Sequence, residues 1–570
     1  MSGSPSAPGP LQGRLPALLA VLVALLVFAP SLGGEFLTWD DDVYLTANPL
    51  VRDSTPGGLL RLGKAYVSGN WHPLTLWTYA LIHRLAGLRP FWYHLAGLLL
   101  HLAVTLLAFA LFRRLGLSPR SALAGTLLFA LHPARTEAVA WISALKDPLS
   151  AALALTALLL HLRWRRDGGA GPRLLSLAAG IMAMAAKGTA AVLPALVLLV
   201  DGARGPGAWR ERLRGVAPWV AAAVPFALAA LPARASYEAV LQEAGDSPLY
   251  RLQLGVYRLA LHFLPRGLAF SPAAPLNPFY LHESRNLPAW GWLAAAWSLL
   301  AAAGLLIFLL RRRSRRLAFG ASFFLLALLP VLPVVVVGHT ADRFLYLPSL
   351  GLAFVLGPLL GRLGRRGGQP SPGRGRLLRY LPLLLPLLMV PVTAREIRVW
   401  RGSRELWQRA VASYPRVASF WLNLGNAHTL AGDHLRAVPA YDRALALEPG
   451  NLKARTMRGV AHSYAGRPDL ALADLEAVLA VAPGHPEAVL NRGILRLRQG
   501  RHREAVPDLE RAARLLPDVP LAWLSLAGAL RGEGRREEAE AAARRAWELD
   551  PSLAGAREFQ GGAGGGAPLH

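Results

Sequence analysis

Apolar runs recur along the first 394 residues of the chain, each bounded by charged or proline-rich breaks. A hydrocarbon layer about 30 Å thick takes roughly 20 helical residues to cross. The pattern predicts spans at Leu15 to Pro30, Phe91 to Phe112, Ser121 to His132, Glu137 to Leu162, Leu174 to Ala186, Ala190 to Val200, Val216 to Leu231, Ala289 to Leu310, Leu317 to Val337, Phe344 to Leu360 and Leu378 to Val392. That is about eleven helices. Alternate breaks are strongly basic, the clearest being Arg163 to Arg173, Arg204 to Arg214, Arg311 to Arg316 and Arg362 to Arg379. Lysine and arginine are retained on the cytoplasmic side, so the N-terminus reads as inside and the C-terminal region as outside. The long outer loops are then Ser31 to Pro90 and Ala233 to Pro288. The first segment also has the length of a signal peptide, but no small-x-small cleavage motif precedes Gly33 to Phe36.

After residue 415 the period changes. Pro415, Pro449, Pro483, Pro517 and Pro551 stand 34 residues apart, and Gly432, Gly466, Gly500 and Gly534 keep the same spacing. Ala437, Ala471, Ala505 and Ala539 form a third column, and Gly425, Gly459, Gly493 and Ala527 a fourth. This is the tetratricopeptide pattern, in which small residues let paired helices approach, a glycine turns the chain and a proline ends the second helix. The expected fold is therefore all-α: a polytopic helical membrane domain over residues 1–394, a partial repeat or connector at 395–415, four repeats as an α-solenoid over 416–551, and a disordered tail at 552–570. His428, His434, His462, His485 and His502, scattered over the repeats, read as solvated helix faces or turns.

Composition sharpens the class. The 570 residues are 53% hydrophobic, with a mean hydropathy of +0.33. The net charge of +27 lies in short clusters beside apolar runs, with no nucleic-acid motif, so lipid headgroups are the expected partner and nucleic acid is not. The absence of cysteine rules out disulfides, thiolate metal sites and cysteine nucleophiles. Of 62 basic residues only Lys64, Lys146, Lys187 and Lys453 are lysine, three of them in the membrane half, where a compact ammonium has uses a guanidinium does not.

Polar groups in or beside membrane helices are costly, and five groups fall on or near the predicted outer side. They are Asp40, Asp41 and Asp42; His72 in NWHPL; His94 and His101, seven residues apart on one helix face; Arg135, Glu137, Lys146 and Asp147; and Asp342 with Arg343. Each also has a plain structural reading: a solvated loop or helix cap for the aspartates, inter-helix packing for the histidines, a neutralising pair for Lys146 and Asp147, and an interfacial anchor for Arg343. Together, acids and bases converging at one membrane face suit a lipid phosphate carrying a reactive group. Cations would grip the phosphate, which is also the leaving group, and a carboxylate would take a proton from an attacking hydroxyl.

The motifs FLTWDD, NWHPL, YHLAGLLLH, LHPARTEAVAWISALKD and ADRFLYLPSLG, followed by NLGN and the repeats, resemble the tetratricopeptide-containing transmembrane O-mannosyltransferases and their bacterial relatives, within the C-type glycosyltransferase superfamily. The resemblance implies a metal-independent inverting transferase of the cytoplasmic membrane, needing no cofactor beyond a polyprenyl-phosphate sugar donor. Its acceptor would be a hydroxyl, that of protein Ser or Thr, recruited on the outer side by the repeats. By position Asp40 and Asp41 match the family's diacidic motif and are the catalytic candidates. Arg343, Lys187, His72, Glu137, Lys146, Asp147, Asp342, His94 and His101 are candidates for binding the donor phosphate or substrate. Asp42 has no counterpart and is expected to tolerate substitution, and Tyr44 to Pro49 are expected to shape the loop. The chain departs from the family at Gly97, where an asparagine is usual, and at Gly188, where an acid or proline commonly follows the lysine. A non-catalytic membrane scaffold that only displays the repeats is the alternative.

Overall fold

The structure is a computed structural model that describes residues 15–203, 209–241, 248–268, 290–310, 314–332, 340–363, 384–551 and 553. The described residues are helical apart from turns, breaks and one two-stranded hairpin. Two compact units divide the chain, Met1–Leu406 and Trp407–His570. The first runs beyond the expected limit of residue 394. The helix Val390–Val399 is tied into it by the Thr393 hydroxyl, which donates to the carbonyl of Leu131 at 2.7 Å. Farther on, the Arg401 carbonyl accepts from the Glu35 amide at 2.9 Å, and the Ser403 hydroxyl accepts from the Thr38 amide at 2.8 Å.

Among the described residues, three helical segments in the first unit are long and apolar enough to cross a bilayer: Leu15–Gly33, Pro90–Arg114 and Ile142–Asp167. Shorter apolar helices include Ala170–Ala186, Gly188–Ala203 and Ser349–Arg362. Proline opens several helices at their first position, as in Pro73–Ala86, Pro90–Arg114 and Pro119–Ala130, where its missing N–H costs nothing. Small residues bring two helices into backbone contact. An added Cβ on Gly125 would lie 2.7 Å from the Ala353 carbonyl oxygen, and one on Gly357 would overlap the Ser121 carbonyl oxygen. Glycine-mediated approach of this kind is how membrane helices gain packing without a hydrophobic driving force.

The predicted span Glu137 to Leu162 is not one helix. A turn at Pro133–Arg135, a short helix Thr136–Ala140 and a turn Ile142–Ala144 precede the long helix Lys146–Asp167. Irregular backbone at membrane depth is tolerated only where protein covers it, and every residue from Leu131 to Pro148 is buried. Lys187 sits at a similar break, extended between Ala170–Ala186 and the turn Gly188–Val192. Asp342 and Arg343 occupy the turn Asp342–Leu345 ahead of Ser349–Leu363. Of the expected second outer loop, residues 242–247 and 269–288 lie outside the described residues, as do residues 204–208, 311–313 and 364–379 of the basic breaks, residues 333–337 and 378–383 of two expected spans and, apart from Leu553, the tail.

In the second unit, four helix pairs follow the helix Ser403–Ser413: Ala418–Leu430 with His434–Leu447, Leu452–Tyr464 with Pro468–Val481, Pro486–Arg498 with His502–Leu515, and Pro520–Gly532 with Arg536–Leu549. The turn glycines Gly432, Gly466, Gly500 and Gly534 all have positive φ, 72° to 81°, which explains why that column is glycine. His428 and His462 are buried, contrary to the solvated reading, because both lie in the last turn of a first helix beneath its partner.

Candidate functional site

Four breaks between helices meet at one end of the first unit: the loop after Leu15–Phe28, the turn region His132–Asp147, Lys187 and the turn holding Arg343. Hydrogen bonds lock them together. The Thr75 hydroxyl donates to the Ala186 carbonyl at 2.8 Å, the Tyr79 hydroxyl to that of Ile142 at 2.7 Å, and the Ser150 hydroxyl to that of Ala183 at 2.9 Å. The hairpin Tyr66–Val67 with Asn70–Trp71 turns through Ser68 and Gly69, both at positive φ, and delivers His72 to the start of Pro73–Ala86.

The two adjacent aspartates have different surroundings. Asp41 is fully buried: one carboxylate oxygen accepts from the Leu37 amide at 2.8 Å, and the other accepts from the Ser143 amide at 2.9 Å and from the Ser143 hydroxyl. Burial pushes its carboxyl up to about 6, against the opposing effect of those donors. Asp40 is half-buried, and among the described residues no hydrogen bond reaches its carboxylate. Burial raises its carboxyl as well, while the charges of Lys146 and Arg343 pull it down. Asp42 is exposed, and its carboxylate accepts from the Val43 amide at 2.8 Å.

The cations are arranged with equal selectivity. Arg343 is bound twice by Glu137, whose carboxylate accepts from its guanidinium and, at 2.9 Å, from its backbone N–H. Its guanidinium carbon lies 5.0 Å from the centre of the Trp141 ring and 5.1 Å from that of Phe344. Burial opposes its charge, and Glu137, Asp147 and Asp40 outweigh burial, so its affinity for the proton rises. Lys187 donates to Asp147 at 2.5 Å. Burial lowers the Lys187 ammonium, with Asp147 opposing. Lys146 has no carboxylate partner among the described residues; its ammonium donates to the Tyr44 hydroxyl at 3.2 Å and lies 4.4 Å from the centre of that ring. His72 is buried near Lys146 and Lys187, and burial and those two charges hold its imidazole well below the usual range, so it is neutral at pH 7.

A cavity of about 30 Å³ lies among Asp147, Ser150, Lys187, Arg343, Phe344 and Tyr346. The second carboxylate oxygen of Asp147 is buried without a hydrogen bond among the described residues. Asp342 is buried beside Arg343. His101 is in the packing layer behind the cluster, bonded to the Tyr346 hydroxyl at 2.7 Å and the Ala130 carbonyl at 3.2 Å. His94, buried against Gly34, lies under the chain that leads to Asp40. Sequence reasoning missed three contributors: Tyr44, which meets Lys146; Ser143, which binds Asp41; and Trp141, which carries Arg343. Tyr44 had a signal in its position one helical turn after Asp40, whose carbonyl accepts its amide at 2.9 Å. The partners of Ser143 and Trp141 are far away in sequence. Among the described residues no three histidine, aspartate or glutamate side chains are grouped to hold a metal ion.

The family model for the tetratricopeptide repeat matches residues 394–451, 456–518 and 490–554. The protein O-mannosyl-transferase F38B6.6 of Caenorhabditis elegans is 24% identical over 469 residues, covering 78% of this chain and 64% of that protein. The protein O-mannosyl-transferase TMTC4 of Mus musculus is 26% identical over 493 residues, covering 74% of this chain and 65% of its own length. TMTC1 of the same species is 34% identical over 223 residues, 34% of this chain and 23% of that one. The chain thus spans less than two thirds of the length of these relatives. Among solved structures, a thermophilic tetratricopeptide protein of Thermus thermophilus is 22% identical over 30% of this chain and 93% of its own, with a TM-score of 0.26. The resemblance read from the motifs is borne out by these named relatives and by the repeat model.

Proposed function

We propose that this chain is a membrane glycosyltransferase that moves a mannose-like sugar from a polyprenyl-phosphate donor to a hydroxyl acceptor, the side chain of Ser or Thr in a protein, on the outer side of the cytoplasmic membrane. The names of the relatives, protein O-mannosyl-transferases, support the sugar and the acceptor class, and the repeats suit recruitment of a protein. One observation carries the chemistry: Asp40 keeps a half-buried carboxylate that accepts no hydrogen bond among the described residues and lies within the field of Lys146 and Arg343.

In the proposed reaction the acceptor oxygen attacks the anomeric carbon and its proton passes to the Asp40 carboxylate. The bond from that carbon to the phosphate oxygen breaks, and the phosphate leaves with the electron pair. Lys146, which has no carboxylate partner among the described residues, takes the growing charge together with Arg343. Lys187, held by Asp147, supports the same field. Asp41 positions the loop and does not react. The cavity behind Arg343 is water-sized, so the sugar phosphate approaches from the side of Asp40.

Membranes containing the Asp40→Asn variant should show normal abundance and no transfer from a polyprenyl-phosphate mannose to a Ser/Thr peptide. Retained transfer would sink the reading and leave the scaffold. Because the chain has no cysteine, Gly450→Cys gives a single exposed label site in the repeats. Labelling of intact cells by an impermeant maleimide supports the outward orientation, and labelling only after lysis reverses it.

A further inference from the structure

A second, larger cavity lies at the opposite end of the first unit and takes no part in the transfer. It has about 760 Å³ and is bounded by the ends of Pro90–Arg114, Leu193–Ala203 and Arg315–Leu328, with one wall from Ser349–Leu363. The candidate active site meets the other ends of these helices: His94 and Arg114 stand about 30 Å apart along one of them at a rise of about 1.5 Å per residue.

The lining has two characters. Arg114, Arg315 and Arg316 are exposed at its rim, while Leu199, Phe319 and Leu326 form apolar walls. Among the described residues none of the three arginines is in a salt bridge, and no carboxylate lines the cavity. Arg114 does act on Asp167, but that carboxylate is held by its neighbour Arg166 at 2.5 and 2.8 Å. Three like charges gathered over an apolar slot repel one another unless an anion joins them. An occupant must therefore carry negative charge at one end and hydrocarbon at the other. Basic pockets between membrane helices on the cytoplasmic side suit anionic lipid headgroups, and the basic breaks put this end on that side.

We propose that this cavity binds an anionic phospholipid, with its phosphate on Arg114, Arg315 and Arg316 and its acyl chains along Leu199, Phe319 and Leu326. The bound lipid would wedge together the helices whose far ends carry His94 or adjoin the breaks that hold Lys187 and Arg343. The site neither requires nor repeats the transfer reaction.

The test uses the full chain purified in neutral detergent, with native mass spectrometry to count retained lipid after exposure to equal phosphatidylglycerol and phosphatidylcholine. A preference for phosphatidylglycerol on the order of 100-fold is expected from three arginines, and the triple variant Arg114→Gln/Arg315→Gln/Arg316→Gln should fall to parity. Ser322→Phe, which narrows the slot and leaves the arginines in place, should lose most retention while melting normally. Equal retention of the two lipids, or full retention in the triple variant, would overturn the proposal. So would displacement of the lipid by millimolar inorganic phosphate, which would mean that the arginines bind phosphate without the slot. Full retention in Ser322→Phe would reduce the site to surface charge and overturn it as well.

Discussion

Glu137 and Arg343, 206 residues apart, are joined at two points, with the carboxylate accepting from both the guanidinium and the backbone N–H of Arg343. The pair is buried, with side-chain exposures of 3% and 7%. Removing one member of such a pair costs roughly 3–5 kcal/mol, because the other is left in low dielectric without its counter-charge. Glu137→Gln should therefore lower the melting temperature in detergent markedly. The double variant Glu137→Gln/Arg343→Met should recover most of the loss while abolishing transfer. A double variant no more stable than Glu137→Gln would show that the carboxylate acts through other partners.

Asp41 and Ser143 make the loop after the first apolar helix depend on pH. Burial raises the Asp41 carboxyl to about 6 from 3.8, so the native state holds this proton more tightly than the unfolded chain does. Its contribution is fully present below the unfolded value and is lost as pH rises through about 6. Melting temperature followed from pH 4 to 7 should contain a downward component from this group, amounting to roughly 3 kcal/mol at about 1.36 kcal/mol per pKa unit. Asp41→Asn should remove that component. Ser143→Ala, which deletes a donor to the ionised form, should steepen it. Identical pH profiles for wild type and Asp41→Asn would refute the assignment of this proton to Asp41.

The repeats were readable from sequence because a 34-residue period leaves several columns, and each has a local physical cause, such as the positive φ of Gly432 and Gly466. The site was readable only as a set. Hydropathy averaged over a window joins Glu137 to Leu162 into one span, whereas the fold breaks the chain between them and turns Glu137, Lys146 and Asp147 inward. Nor do two neighbouring aspartates reveal which one will be saturated. Donors on Leu37 and Ser143 decide that, and Ser143 is 102 residues from Asp41. Lys146 and Lys187 look equivalent by composition, but Lys187 donates to the Asp147 carboxylate and Lys146 to the Tyr44 hydroxyl.

Gly357 and Gly125 hold the helix leading from Arg343 against Pro119–Ala130, with backbone on both sides of the contact. Backbone cannot yield as a flexible side chain can, so Gly357→Leu should push the two helices apart. The expected result is loss of monodisperse protein in size-exclusion chromatography and loss of transfer. Gly304→Leu is the matched control, since an added Cβ there meets nothing within 4 Å. Equal behaviour of the two variants would mean that this helix contact does not support the fold.

In the second unit, Arg458 grips Asp474 with two hydrogen bonds at 2.8 and 2.6 Å, and 34 residues later Arg492 grips Asp508 at 2.9 and 2.7 Å. Asp508 also accepts from Arg496 at 2.8 Å, so one buried carboxylate serves two arginines of the preceding helix. A hydrogen bond to a charged group contributes roughly 1.5–3 kcal/mol, and Asp508→Ala removes three of them at once while leaving two guanidinium groups facing each other. Repeat arrays distribute stability between neighbours, so the damage should stay local. Hydrogen exchange should accelerate most in Pro486–Arg498 and His502–Leu515 and least in Ala418–Leu430. Arg492→Lys should reproduce part of the effect, because an ammonium cannot make the paired contact of a guanidinium. Uniform acceleration across all four repeats would instead make the array a single cooperative unit, with Asp508 no more than one contributor to it.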